Sequence, residues 1–157
     1  MDVTDEQPLE QLHPAYVHVV RIEAALVMVP FLIGSLVVEG ADLLPTGLAF
    51  FPLLLVAVIL IVLFPLRRYR ARGFAMADDR LRVVRGVLFH ADVVVPFSRV
   101  QHIDVTQGPI ERLFGLATLT LHTAGTHNHS VALPGLEHGQ AGAMREEIRA
   151  HVKRESM

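Results

Sequence analysis

Two apolar blocks followed by a long alternating region divide the chain. From Gly47 to Leu66 twenty consecutive residues, GLAFFPLLLVAVILIVLFPL, carry no charge and no strongly polar side chain. A helix of that length rises roughly 30 Å, the thickness of a hydrocarbon core, so the block predicts a membrane-spanning helix. An upstream block, Ala24 to Val38, is uncharged over fifteen residues and reaches span length when extended back to Val17, past His18, Arg21 and Glu23. Arg21 can then carry its head to the interface on its aliphatic stem, and Tyr16 stands where an interfacial aromatic would. Pro30 and Gly34 loosen this helix, and Gly34 with Ser35 offers a small-residue face to the second span. The pattern predicts a membrane helical hairpin, residues 17–66, with spans 17–38 and 47–66 and a turn at 39–46.

From Gly73 onward short apolar runs alternate with turn residues, which is β-strand patterning. Phe74 and Met76 begin a strand, Ala77-Asp78-Asp79 turns into Leu81–Arg85, and Gly86 marks a turn or bulge before Val87-Leu88-Phe89. Residues 92–97, DVVVPF, form a further strand that Pro96 assigns to an edge or an end. Ser98-Arg99-Val100-Gln101 has the shape of a capped turn, after which Ile103 and Val105 alternate with polar neighbours. Pro109 and Gly115 bracket one or two helical turns, and residues 117–122 alternate as a strand with Leu119 and Leu121 inward. A hairpin through Ala124-Gly125-Thr126 returns in His129–Leu133. In residues 137–153, Ala141, Met144, Ile148 and Val152 form one apolar stripe on an amphipathic helix, which must pack on the preceding sheet.

Composition narrows the chemistry. The chain has 157 residues, is 52% hydrophobic but only 6% aromatic, and its mean hydropathy is +0.42, so the apolar excess is aliphatic and concentrated in the hairpin. With no cysteine, disulfides, Cys-based zinc sites and thiol nucleophiles are excluded. The net charge of -2 conceals an asymmetry, because residues 1–66 hold Arg21 against seven acidic groups. The first twelve residues carry four acidic and no basic groups, the reverse of a signal-peptide start, so cleavage is not expected. Glu39 and Asp42 lie between the spans, whereas Arg67, Arg68, Arg70 and Arg72 follow the second. The positive-inside rule then places those arginines and both termini in the cytoplasm, and it makes the acidic turn external. The same arginines are candidates for attraction to anionic headgroups.

The order of elements resembles that of the bacterial pleckstrin-homology (PH) membrane proteins, small chains with two spans and one bacterial PH domain. The resemblance is carried by Leu12-His13-Pro14, the arginine-rich exit, and three blocks: LRVVRGVL from Leu81, VPFSRVQHIDV from Val95, and GPIERLFGLA from Gly108. It implies a cytoplasmic N-terminal segment (1–16), the hairpin, and a mainly β, PH-like domain over 67–157, a bent antiparallel sheet of about seven strands closed by a C-terminal α-helix. It also implies a binding or assembly role with no catalytic residue and no cofactor.

The residues themselves agree with a non-enzymatic reading. Asp78 and Asp79 occupy the turn where headgroup-binding PH domains place basic residues, which counts against phosphoinositide recognition. His127-Asn128-His129 is the tightest histidine cluster and, with His90, the basis of an alternative metal-dependent enzyme, but two ligands without an HExxH-like spacing are too few. Phe97, Arg99 and Val100, beside an edge strand, form the candidate interaction surface. The expectation is a module of the cell membrane that binds another membrane protein with related PH-like domains, or a second copy of itself, and no nucleic acid. Anionic-lipid sensing through the arginines is the alternative.

Overall fold

The first apolar block is helical from Tyr16 to Gly40 (α1) in the computed structural model of the chain, which describes residues 8–87, 89–124 and 130–155. The second block runs as Phe50–Val58 (α2), a π-helical turn Ile59–Leu63, and Phe64–Arg70 (α3). Pro65 explains the π turn: a proline ring collides with the carbonyl four residues back, and the wider turn makes room for it. The Phe64 amide accordingly bonds Ile59 O, five residues earlier. Between the helices the Glu39 carboxylate accepts hydrogen bonds from the Phe50 and Ala49 amides at 2.9 and 3.2 Å, satisfying two donors at a helix start. Gly34 has open space around it, and Ser35 donates back to Leu32 O at 2.8 Å, so the expected small-residue packing face is confined to Ser35.

Both helices are long and apolar enough to cross a membrane, and only 6% and 11% of their apolar stretches are buried. A core helix of a soluble protein hides its apolar face, whereas Leu26, Phe31, Val37, Phe51 and Leu55 are all exposed. The chain is a membrane protein.

The remainder forms a second unit, residues 1–16 with 68–157, distinct from residues 17–67. Strands Arg72–Met76 (β1), Arg80–Arg85 (β2) and Ala91–Pro96 (β3) make an antiparallel meander. A 3-10 turn at Phe97–Arg99 then carries the chain into a second sheet of Val100–Thr106 (β4), Leu116–Thr123 (β5) and Ser130–Glu137 (β6), in that order. Pro109–Leu113 (α4) joins β4 to β5, and His138–Glu155 (α5) closes the unit. The described residues thus form six strands in two three-stranded sheets rather than about seven in one bent sheet. The chain breaks between the sheets where Pro96 lacks an amide and buried Phe97 turns inward, and Val87 and Phe89 lie in a turn rather than in a further strand.

Leu81, Leu116, Leu119, Leu121, Leu133 and Leu136 fill the core, and Ala141, Met144 and Ile148 of α5 cover it. His151 of α5 packs against Phe97 with the rings tilted by 57° and their centroids 5.7 Å apart. The expected capped turn at Ser98 is a 3-10 turn without a side-chain cap. α4 begins after Gly108, whose amide donates to the Glu111 carboxylate at 2.8 Å, and Gly115, two residues past its end with φ +66°, turns the chain away.

The segment before α1 is part of this domain. Glu10 and Phe74 exchange backbone hydrogen bonds of 2.7 and 2.9 Å, the His13 amide bonds Gly135 O at 2.8 Å, and Leu12 is buried. Tyr16 packs on Gly135 and accepts a 3.1 Å hydrogen bond from Arg72 Nη1.

Candidate binding groove

β4 is an edge of its sheet, and α5 crosses beside it. Between them lies a groove of about 470 Å³, lined by Val100, Gln101, His102 and Ile103 from the strand and by Arg145, Arg149 and Val152 from the helix. The local sequence builds each wall. Ile103 and Val105 face the core opposite Leu121 and Leu119, which turns His102 and Asp104 to the outer face. Register slips by one residue between Val100 and His102, so Gln101 is a bulge on the free edge. On α5 the apolar stripe faces the sheet, and Arg145 and Arg149, four residues apart, rise on the exposed flank.

The groove is positively charged. Arg145 touches the neighbouring Glu146 at 2.9 Å, an exposed pair of little strength, and Arg149 has no ion pair among the described residues. His102 Nε2 meets Asp104 Oδ1 at 2.7 Å, and His122 Nε2 meets the other oxygen at 3.2 Å, so one carboxylate links His102 of the groove lining to its cross-strand neighbour His122. An open strand edge offers backbone donors and acceptors, and the arginines beside it suit carboxylates.

The sequence candidates are distributed differently. Phe97 and Val100 are buried, at 1% and 6% exposure, so the expected surface of Phe97, Arg99 and Val100 reduces to Arg99. Val100 still lines the groove floor. Arg67, Arg68 and Arg70 lie on the last turn of α3, whereas Arg72 is half-buried against Tyr16, where burial lowers its guanidinium from the usual range. In the β1–β2 turn Arg80 holds Asp79 at 2.9 Å, and Arg82 chelates Asp92 at 2.6 to 3.1 Å. Those hydrogen bonds depress both carboxyls below the ordinary range. Both arginines are thus paired with carboxylates of the same domain. His127 and His129 lie outside the described residues, His90 is exposed, and no cluster of three or more potential ligands occurs among the described residues.

Sequence reasoning missed Arg145, Arg149, Gln101 and His102. Their one legible signal is the four-residue spacing of two arginines beside an apolar stripe, and that spacing names no strand partner.

Residues 20–152 match the family described as Bacterial PH domain. The chain is also 32% identical over 95 residues to the UPF0699 transmembrane protein YdbS of Bacillus subtilis (strain 168). The match takes in 60% of this chain and 58% of that relative, so the chain spans less than two thirds of the relative's length. No solved structure matches.

Proposed function

Because the chain belongs to the bacterial PH domain family, we propose that it is a membrane-anchored, non-enzymatic binding module whose β4–α5 groove takes an extended, acidic segment of another membrane protein. The carrying observation is the coincidence of a free strand edge with Arg145 and Arg149 along one wall. An added strand draws affinity from main-chain hydrogen bonds, and the arginines select acidic side chains. A second copy of the chain offers such acidic residues in Asp2, Asp5 and Glu6.

The domain works at the cytoplasmic face in this reading. Arg67, Arg68 and Arg70 follow the second span, and the segment before the first span packs into the same domain as the chain after the second. That shared packing supports a single side of the bilayer for both.

Photo-crosslinking in native membranes tests the proposal. A crosslinking residue at position 101 is expected to label an acidic segment of one membrane protein, whereas position 118 on the outer sheet face labels little. The double variant Arg145→Glu/Arg149→Glu is expected to abolish the adduct. Equal labelling from both positions, or an adduct indifferent to charge reversal, would reject the groove.

A further inference from the structure

We propose that Phe89 and Leu113 seat the β domain on the bilayer, inserting into the interfacial layer of the leaflet at which α1 begins and α3 ends. These are the two most exposed large apolar side chains of the described residues, at 87% and 80%. Each lies beside one of the two points where the domain is joined to the hairpin.

For Phe89 the argument is chain length and register. α3 ends at Arg70 and β1 starts at Arg72. Two residues reach at most about 7 Å, and Arg72 pairs directly with Arg85 across about 5 Å. Whatever the tilt of the domain, Arg85 stays within about 12 Å of the helix end. The β2–β3 turn follows at once, and it is closely folded: a Cβ on Gly86 would sit 2.3 Å from the Phe89 carbonyl oxygen.

Leu113 stands at the other junction. Tyr16 opens α1 and packs on Gly135. The neighbouring Leu136 pairs with Ala117, so Gly135 lies at the end of the second sheet where β5 begins. α4 leads into that end and presents Leu113 as its last residue. The helix is fixed there, since Glu111 accepts hydrogen bonds from Gly108 N at 2.8 Å and from Thr118 Oγ1 at 2.7 Å. Leu113 is therefore held outward.

The flanking residues identify the ligand as a lipid surface. Arg85 leads into the Phe89 turn, and Arg112 precedes Leu113, both of them exposed. Apolar tips beside cationic groups suit the boundary between anionic headgroups and acyl chains. The inference rests on the membrane reading of the hairpin and is independent of the groove.

The chain contains no tryptophan, so single replacements report cleanly. Full-length Phe89→Trp and Leu113→Trp are reconstituted into phosphatidylcholine and phosphatidylglycerol vesicles, with and without brominated acyl chains. Phe31→Trp in α1 serves as the in-membrane reference and Ala124→Trp, at the far end of β5, as the aqueous one. Phe89→Trp and Leu113→Trp are expected to emit to the blue of Ala124→Trp and to lose intensity to brominated lipid. Emission and quenching like those of Ala124→Trp overturn the proposal, and a blue shift without quenching does so too, because a protein then covers the site. An unquenched Phe31→Trp instead removes the membrane reading itself.

Discussion

Gly135 shows how much a single residue can decide. Its φ of +73° lies where side chains are strained, and a Cβ there would stand 2.7 Å from the Tyr16 ring. The position sits in a β6 bulge, since register shifts between Ala117 and Leu119 leave Pro134 and Gly135 opposite one residue. Glycine thus lets the first residue of α1 dock on the sheet, and the Tyr16 hydroxyl then receives Arg72. Gly135→Ala is expected to destabilise the domain by about 1–3 kcal/mol. Thermal unfolding of the detergent-purified chain measures this, and an unchanged midpoint would contradict the packing described.

At the scale of elements, the β2–β3 hairpin depends on a cross-strand ion pair as well as on its ladder. Arg82 donates two hydrogen bonds to Asp92 Oδ2 and one to Oδ1. These hold the Asp92 carboxyl below its ordinary range. A carboxylate depressed in the folded state adds stability that is complete above the unfolded value, about 3.9, and is lost as pH falls through the folded value. Asp92→Asn is therefore expected to remove part of the acid limb of the stability profile below about pH 4, with a loss under about 1 kcal/mol at neutral pH because the pair is partly solvated. An acid limb identical in the two proteins would show that the pair does not act this way.

The whole molecule is organised by having both ends of the hairpin feed one domain. Residues 9–16 and the chain from Arg68 onward share backbone hydrogen bonds and a core. In the reading proposed above both therefore lie on one side of the membrane, and the arginine-rich exit makes that side the cytoplasmic one. Protease added outside intact cells is expected to leave α5 uncut, and protease added to inverted vesicles is expected to reach it. Cleavage from outside would reverse the orientation of the groove and of the apolar tips together.

Length and unbroken apolarity made the two spans legible without any tertiary information, because a lipid-facing helix needs no partner to satisfy its backbone. Alternation likewise exposed the inward faces of Leu119 and Leu121, and the stripe of Ala141, Met144 and Ile148 showed which face of α5 packs. These patterns are local, with periods of two and 3.6 residues. What pairs with what is not local. Only the folded chain put Arg145 and Arg149 beside β4, turned Phe97 and Val100 into the core, and split the strands into two sheets at Pro96–Phe97. The hairpin follows from each residue's affinity for lipid, whereas the groove exists only because segments some forty residues apart in sequence meet, and no periodicity records that meeting.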